Sequence, residues 1–480
     1  MKYAFVLDAS ACSGCKACQA ACKDKNQLPL GVLWRRVYEV AGGAWKEEGA
    51  AWSNTVFAYN LSISCNHCEH PKCAGVCPVD AYNVREDGLV LLDSAKCIGC
   101  GYCAWACPYS GPQYDQAAGR MTKCDFCYDN LEMGLPPACV AACPLRALDY
   151  AEINDRHNLA ADRVALWETP AADHPYPMPG NSRLEPHLAI KPHVAMKSTE
   201  DKSIANLEEV HPQRETGRRE APLVVFTLLL QTAVGGFWTM LWLAPDANPL
   251  PMLWIGLCLG AGMLASFAHL GTKRNAWRVL NHLRKSWLSR EILFTILFGV
   301  GWLITFISMI FHANSSIFNW LTAWMGLGLI YSMSRVYHLP SIPDWDSWRT
   351  DIHFFMSAAL LGILGVVSAL TWMHSSAAQW ARSEFLIVPL LITQTVIIKS
   401  QSPSFGRKAC RLGLIMAGLI GCVILFFSPT SFRMYSSLAV FLIILMEEGL
   451  GRWLFYQART RSNFQGTIWE TPSRIWMIGR

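Results

Sequence analysis

The chain has 480 residues, of which 52% are hydrophobic and 16% charged, and a formal net charge of +5 at pH 7. This length exceeds one typical domain, so two are expected, and the small net charge gives no reason to expect a nucleic-acid partner. Composition changes along the chain: sixteen of the nineteen cysteines lie between Cys12 and Cys143, whereas hydrophobic residues concentrate after Ala221. Met1 to Ala11 lack a basic start followed by a long apolar run, so no secretory signal is expected.

The sixteen cysteines form four groups with the spacing of iron–sulfur ligands. The groups are Cys12, Cys15, Cys18 and Cys22; Cys65, Cys68, Cys73 and Cys77; Cys97, Cys100, Cys103 and Cys107; and Cys124, Cys127, Cys139 and Cys143. In the C-x2-C-x2-C-x3-C-P spacing of group three, three thiolates bind one [4Fe-4S] cluster and the fourth reaches a neighbouring cluster. A zinc site would need only two C-x2-C pairs. We therefore predict a multi-domain protein whose residues 1–150 form an α+β, tandem bacterial-ferredoxin-like domain with four [4Fe-4S] clusters that conducts electrons.

Two pairings of these groups are compatible with the exchanged fourth ligand. In the nested pairing, groups two and three share two clusters, and groups one and four form the second pair. Its four sets are Cys12, Cys15, Cys18 and Cys143; Cys65, Cys68, Cys73 and Cys107; Cys97, Cys100, Cys103 and Cys77; and Cys124, Cys127, Cys139 and Cys22. The sequential pairing instead joins group one with two and group three with four. Between groups one and two, alternating apolar and polar residues over 33–64 predict a β-hairpin.

The second half of the chain predicts a membrane domain. Residues 151–220 are polar and proline-rich, which is typical of a connector, and their histidines (including His187) are expected in solvated loops. Over 221–456 we predict an all-α bundle of eight transmembrane helices, followed by a basic C-terminal tail over 457–480. The predicted spans are 221–243, 252–271, 291–311, 316–334, 352–373, 384–400, 411–429 and 433–455.

Charge predicts the orientation of this bundle. With eight crossings, both termini and the even-numbered connections share one side, and most basic residues lie there; the other side has only Arg382 and Arg433. The positive-inside rule then places the cluster domain and both termini on the cytoplasmic face of the inner membrane. Export of a folded complex by a twin-arginine signal on a partner remains the alternative.

Two ionisable residues lie where a quinol could meet the clusters. His269 ends the second predicted helix and Glu291 begins the third, both on the side of the cluster domain. Ionisable groups at membrane depth indicate function, and a base beside a carboxylate suits quinol oxidation, which releases two protons with two electrons. The alternative is that both residues form hydrogen bonds to the backbone at helix ends.

Several motifs resemble the dimethyl sulfoxide reductase family. Residues 1–150 resemble its iron–sulfur subunit at Trp34-Arg-Arg-Val-Tyr-Glu, Cys97-Ile-Gly-Cys, Met121-Thr-Lys-Cys-Asp and Ala142-Cys-Pro-Leu-Arg-Ala-Leu. Ser266-Phe-Ala-His269-Leu-Gly and Leu288-Ser-Arg-Glu291-Ile resemble its eight-helix anchor subunit. The resemblance implies nested pairing, four [4Fe-4S] clusters with Cys103 as a ligand, and a menaquinol site at His269 and Glu291. It also implies that two subunits are fused here, that molybdopterin is held only by a partner catalytic subunit, and that haem is absent.

These expectations define the leading functional hypothesis and its rivals. The protein is expected to oxidise menaquinol from the membrane pool and to pass electrons to a molybdopterin subunit that reduces dimethyl sulfoxide or a similar acceptor. One alternative keeps the same carriers with another substrate or direction: polysulfide, tetrathionate, or a dehydrogenase that reduces quinone. A redox-regulated ion pump is the rival from another class, and it would need paired acids within the helices; Glu447 and Glu448 are the main candidates.

Overall fold

The fold is described from a computed structural model. It describes residues 2–42, 45–49, 51–153, 164–165, 184–193, 220–243, 249–312, 316–342, 344–372, 387, 389–395, 405–427 and 430–461. Most of the predicted connector and the predicted tail after residue 461 lie outside these residues. The described part of the first 193 residues contains strands and short helices, and the remainder is mainly long helices.

One four-stranded sheet joins the two ends of the N-terminal domain. Strand β1 (Tyr3–Asp8) pairs antiparallel with β10 (Leu148–Glu152) and parallel with β12 (Leu188–Lys191), and β12 pairs antiparallel with β11 (Val164–Ala165). The ladder aligns Leu7 with Leu148, so the segments before group one and after group four lie side by side.

The sheet also differs from the predicted boundary at residue 150. β11 and β12 belong to the predicted connector, yet they complete the sheet of the cluster domain. All the side chains of Leu188, Ala189 and Ile190 are buried. The polar, proline-rich composition around this short strand concealed it, because its pairing partner lies at the start of the chain. The expectation of a solvated loop is also wrong for His187, which is buried and contacts Glu69 Oε2 through Nε2 at 3.1 Å.

The predicted β-hairpin between groups one and two is confirmed. β2 (Arg36–Gly42) pairs antiparallel with β5 (Phe57–Ile63), and β3 (Trp45–Glu48) with β4 (Ala51–Asn54) forms a second ladder between them. Alternation places Val40, Leu61 and Ile63 in the domain core.

Short helices and two small hairpins position the cysteines. The helices are α1 (Ala17–Lys25), α2 (Lys72–Val76), α3 (Tyr102–Ala106), α4 (Tyr128–Glu132) and α5 (Ala138–Ala141). The hairpins pair β6 (Tyr82–Val84) with β7 (Val90–Leu92), and β8 (Gln113–Asp115) with β9 (Arg120–Thr122). The third cysteine of each group is the second residue of a short helix. The two hairpins follow groups two and three.

The described part of the second half contains seven long helices. They are α6 (Ala221–Leu243), α7 (Leu250–Ala268), α8 (Trp287–Ile310), α9 (Ser316–Arg335), α10 (Trp348–Trp372), α11 (Phe405–Phe427) and α12 (Thr430–Arg461). They coincide with seven predicted spans, and residues 389–395 within the remaining span, 384–400, are helical. By length and composition, α6, α7, α8 and α10 each contain a segment that could cross a membrane. The number of eight crossings stays a prediction.

Helices α6 and α10 cross with their backbones in contact. A Cβ atom at Gly235 would lie 1.7 Å from the carbonyl oxygen of Ala358, and one at Gly362 would lie 2.1 Å from the carbonyl carbon of Gly235. Only glycine permits such an approach, and small residues at helix crossings are typical of membrane bundles. This crossing fixes the centre of the bundle.

Gly235→Ala should destabilise the solubilised protein, because the added methyl group must push α6 away from α10. We expect a loss of about 1–3 kcal/mol, the usual cost of overpacking, measured as a lower thermal unfolding temperature in detergent. Gly260→Ala is the control, since a Cβ there meets no heavy atom within 4 Å. Equal unfolding temperatures for the two variants would contradict the close crossing.

Candidate iron–sulfur and quinol sites

The structure brings the cysteines together in four sets, which we number after the group that supplies three members. Set 1 is Cys12, Cys15, Cys18 and Cys143; set 2 is Cys65, Cys68, Cys73 and Cys107; set 3 is Cys97, Cys100, Cys103 and Cys77; and set 4 is Cys124, Cys127, Cys139 and Cys22. Sets 1, 2 and 3 each line a cavity, with about 350, 370 and 280 Å³ of space not filled by protein atoms, part of it open to solvent.

Set 4 is identified by the mutual effects of its thiols. Burial, followed by the nearby Cys139 and Cys127, raises the pKa of Cys22 to about 12. Cys22 in turn contributes to the raised pKa of Cys124, after burial as the main cause. Helix α1, which carries Cys22, packs against α5, which carries Cys139. The arrangement in all four sets is the one that nested pairing requires, and the β1–β10 ladder is its physical cause for sets 1 and 4.

The backbone curls in the same way in all four groups. The second residue between the first two cysteines has a positive φ in each: 72° at Gly14, 44° at His67, 70° at Gly99 and 66° at Phe126. Left-handed conformations at histidine and phenylalanine are uncommon and strained. The positive φ recurs at this position in all four groups. The ligand turn therefore requires this conformation, whichever residue occupies the position before the second cysteine.

Backbone amides donate hydrogen bonds to the ligand sulfurs. Gly99 N and Met121 N approach Cys97 Sγ at 3.3 and 3.4 Å, and Gly111 N approaches Cys107 Sγ at 3.3 Å. Such donors stabilise anionic sulfur. In the described part of the chain, no three His, Cys, Asp or Glu side chains converge on a point that would suit a single metal ion. Thiols arranged around a cavity, with amide donors behind them, fit a cluster better than zinc.

Two buried cations lie between the sets, and sequence analysis assigned them no role. Lys123 is 4% exposed; burial opposes its charge, but nearby Cys65 and Cys124 raise its pKa above the usual value. Arg35 is 1% exposed, and its pKa is raised in the same way by Cys139 and Cys18 against the effect of burial. Both residues occur in motifs that resemble the dimethyl sulfoxide reductase family, and this was the only feature of the sequence that could have pointed to them.

Set 3 lies against the helical half of the chain. The segment between α7 and α8 includes a 3₁₀ helix (Lys273–His282) and donates to carbonyl oxygens of the cluster domain. His282 Nδ1 lies 2.7 Å from Cys77 O, Ser286 Oγ donates to Val76 O at 2.8 Å, and Thr272 N donates to Ile98 O at 3.1 Å. All three acceptors belong to a set 3 ligand, Cys77, or to the neighbour of one: Val76 precedes Cys77, and Ile98 follows Cys97.

A second contact joins α3 to the bundle. Tyr102 Oη donates to Val336 O at 2.9 Å, and Ser341 Oγ donates to Trp105 O. Trp105, between the ligands Cys103 and Cys107, packs edge-on against Trp345 at 5.4 Å between ring centroids. The hydrophobic core of the bundle therefore extends to the helix that carries Cys103 and ends one residue before Cys107.

The structure places His269 and Glu291 on the same side of the bundle as set 3. His269 is the residue that follows α7, and Glu291 lies within the first turns of α8, where it is 3% exposed. α8 begins four residues earlier than its predicted span, so Glu291 is part of the helix instead of its first residue. Their neighbours Leu270 and Ile292 both pack against the hydrophobic cluster that contains Cys97 and Cys103. Burial, and then the nearby Glu291, also raises the pKa of Tyr102.

The carboxylates considered for an ion pump have partners within the bundle. Glu447 accepts hydrogen bonds from Arg411 Nε at 2.7 Å and Gln394 Nε2 at 2.6 Å. Glu448 accepts from the same amide at 2.8 Å and from Ser357 Oγ at 2.8 Å. Buried charges require such compensation, and it is supplied by three neighbouring elements of the bundle.

Two histidines of the helical half that could be considered as haem ligands, His338 and His353, have different surroundings. His338 contacts Asp346 through Nδ1 and Asp351 through Nε2, each at 3.1 Å, so both ring nitrogens have carboxylate partners. His353 is on α10, with Nδ1 3.5 Å from Ser357 Oγ. His374 lies outside the described residues, and the absence of haem stays a prediction.

An α+β domain with repeated cysteine turns, docked on long apolar helices, defines an iron–sulfur electron-transfer protein with a membrane anchor. Residues 56–153 match the 4Fe-4S dicluster domain family, and residues 214–407 match the family of the DMSO reductase anchor subunit (DmsC). The protein is an integral membrane protein on the basis of this anchor match and its apolar helices.

Similar proteins identify the family. This protein is 46% identical over 211 residues to a chain of the anaerobic dimethyl sulfoxide reductase of Escherichia coli (strain K12), covering 44% of the sequence described here and 98% of that relative. It is 39% identical over 162 residues to a subunit of the tetrathionate reductase of Salmonella typhimurium (33% and 62%), and 35% identical over 194 residues to the formate dehydrogenase iron-sulfur subunit of Wolinella succinogenes (36% and 92%). The protein belongs to the dimethyl sulfoxide reductase family, as an iron–sulfur subunit fused to a DmsC-type anchor.

Removal of iron with a chelator should unfold the cluster domain and leave the anchor helices intact. The reason is that the cysteines of all four sets contribute to its hydrophobic cores, and metal binding to such sites is coupled to folding. Limited proteolysis and circular dichroism would measure this, with chelator-free protein as the control. Unchanged protease resistance of the cluster domain after complete iron loss would contradict it.

Proposed function

We propose that this protein oxidises menaquinol and passes the electrons through four [4Fe-4S] clusters to a molybdopterin catalytic subunit that reduces dimethyl sulfoxide or a similar acceptor. The observation that carries the proposal is the position of set 3, which lies against the segment between α7 and α8; His269 precedes this segment and Glu291 follows it, within α8. Membership of a family whose named relatives are chains of anaerobic dimethyl sulfoxide reductase supports the substrate.

The order of the cysteine sets supports a linear path. Set 3 contacts the anchor, and α2 and α3, which carry ligands of sets 2 and 3, pack against each other. Cys65 of set 2 lies close enough to affect Cys124 of set 4, and Cys18 of set 1 lies close to Cys139 of set 4. When bound, [4Fe-4S] clusters supply one-electron carriers. The path 3, 2, 4, 1 ends beside Cys15, the exposed ligand, where a partner subunit could accept electrons.

The quinol site needs acceptors for two protons. Each menaquinol becomes menaquinone with loss of two electrons and two protons, and the electrons leave singly toward set 3. We assign the imidazole of His269 as the acceptor for a ring hydroxyl proton and the carboxylate of Glu291 as the group that passes protons onward. From Glu291 the two protons leave to water on the cluster-domain side of the membrane.

The proposal places the protein in the inner membrane with the cluster domain and both termini on the cytoplasmic face. The support is the bias of basic residues, which include Lys273, Arg274 and Arg290 in or beside the α7–α8 connection. Export with a twin-arginine partner gives the opposite orientation. Labelling of Cys410, an exposed cysteine outside the four sets and just before the predicted span 411–429, from either side of sealed vesicles would distinguish the two.

A second candidate is the same electron path with another acceptor or direction. The tetrathionate reductase and formate dehydrogenase subunits are 39% and 35% identical to this protein, so the cluster domain fits either use. The ion pump is less favoured, because Glu447 and Glu448 are held by Arg411, Gln394 and Ser357. Co-purification of the large subunit identifies the substrate.

Cys143→Ser should remove the cluster of set 1, about four of the sixteen iron atoms that four [4Fe-4S] clusters contain. Because set 1 is farthest from the quinol site, menaquinol should still reduce the remaining clusters. Sequential pairing predicts loss of the cluster at group three, and with it loss of reduction by quinol. Iron analysis and electron paramagnetic resonance (EPR) spectroscopy distinguish these outcomes, with exposed Cys410→Ser as the control.

His269→Ala and Glu291→Gln should each slow the reduction of the clusters by menaquinol by about 100-fold or more, the usual loss for a positioned acid or base. Dithionite should still reduce all clusters, because it bypasses the quinol site. The control is His312→Ala, at the opposite end of α8. Normal quinol-driven rates in both variants would remove the site from this position.

A further inference from the structure

The side chain of Lys123 lies between sets 2 and 4. Its ammonium group donates to the carbonyl oxygens of Val90 and Cys124, the latter at 2.7 Å, and Cys65 is near enough to act on its charge. Cys65 belongs to set 2 and Cys124 to set 4. The ammonium is therefore held in one place by backbone acceptors, with ligand cysteines of two sets beside it.

Arg35 lies near sets 1 and 4. It reaches set 4 through Phe5, whose ring stacks on Phe126, between Cys124 and Cys127, at 4.1 Å between centroids. Arg35 Nη1 donates to Ser62 O at 3.3 Å and Oγ at 3.4 Å, and its guanidinium lies over the Phe5 ring at 4.1 Å. Ser62 Oγ is 3.5 Å from Cys18 Sγ of set 1. Within the described residues, the buried Nε and Nη2 atoms have no hydrogen-bond partner in the protein. In the described part of the chain, neither cation forms an ion pair with a carboxylate within 4 Å. Asp125 is near enough to interact with Lys123, but its Oδ1 accepts a hydrogen bond from Cys127 N at 2.8 Å. Ligand cysteines are the main groups that act on the charge of both cations.

A positive charge near a cluster raises the affinity of the cluster for electrons. Four thiolates make each cluster anionic, and reduction adds another negative charge in a region of low dielectric constant. A fixed positive charge stabilises the reduced form more than the oxidised form, and a hydrogen bond to sulfur acts in the same direction. A cation between two clusters raises the reduction potential of both.

We propose that Lys123 and Arg35 are positioning residues that set the reduction potentials of successive clusters, Lys123 for sets 2 and 4 and Arg35 for sets 1 and 4. This inference rests on the proposed four-cluster path. Both cations act on set 4 and raise its reduction potential. Electrons can therefore move readily from set 2 through set 4 toward set 1 and the exposed Cys15.

The test is a redox titration followed by EPR on the whole membrane-extracted protein. In Lys123→Met, the reduction potentials of two of the four cluster signals should fall by at least about 59 mV. This corresponds to a tenfold change in the one-electron equilibrium constant. In Arg35→Gln, two signals should shift likewise. One signal, that of set 4, should shift in both variants, and the signal of set 3 should shift in neither.

Matched variants separate charge from position. Lys96 precedes the first cysteine of group three, as Lys123 precedes that of group four, but its side chain is 45% exposed and its Nζ lies 3.7 Å from Asp93 Oδ2. Lys96→Met should leave all four potentials unchanged, and Lys123→Arg should retain most of the native potential. Unchanged potentials in Lys123→Met and Arg35→Gln, or an equal shift of all four signals, would overturn the proposal.

Iron analysis keeps the two hypotheses distinguishable. Fewer than four clusters in the unmodified protein would contradict the proposed path itself, whereas full iron and quinol reduction with unshifted potentials contradict only the role of the cations. If both charge-removing variants fail to retain iron, Lys123→Arg and Arg35→Lys decide. A small shift confined to sets 2 and 4 in Lys123→Arg, and to sets 1 and 4 in Arg35→Lys, supports the proposal, and potentials identical to the native ones overturn it.

Discussion

The antiparallel pairing of β1 with β10 is the contact on which the electron-transfer domain depends. Cysteines from opposite ends of the domain must line one cavity, and the ladder that aligns Leu7 with Leu148 holds them there. A slip of one residue would turn every side chain of β1 to the other face of the sheet. Cys12 and Cys143 would then no longer meet. The pairing of distant strands thus decides which thiols act together.

A second constraint is the way the domain and the anchor meet. Besides the packing of Trp105 in the bundle core, most of the polar contacts are hydrogen bonds from side chains of the anchor to backbone carbonyls beside set 3 ligands, such as His282 to Cys77 O. These acceptors are backbone carbonyl oxygens, so they do not depend on the identity of the side chains around them. The anchor is thereby held directly against the turns that carry the set 3 ligands. Set 3 and the anchor therefore share one interface.

Much of this arrangement could be predicted from local sequence. Cysteine spacing gave the four ligand groups, and runs of apolar residues gave the long helices, because both signals are contained within short windows. β12 and the burial of His187 could not be predicted, since both depend on β1, far away in the chain. Lys123 and Arg35 looked like ordinary surface cations, and only the three-dimensional packing of the thiols around them distinguishes them from Lys96.

The meeting of Gly119 and Gly271 has a consequence for how the protein works in lipid. A Cβ at Gly271 would lie 1.8 Å from the carbonyl oxygen of Gly119, so two backbones touch with no side chain between them. Side chains can bend under load, whereas such a contact has little compliance. Thickening or thinning of the bilayer would then be absorbed elsewhere in the bundle, and under the proposed path the tunnelling distance between the quinol site and set 3 would stay constant.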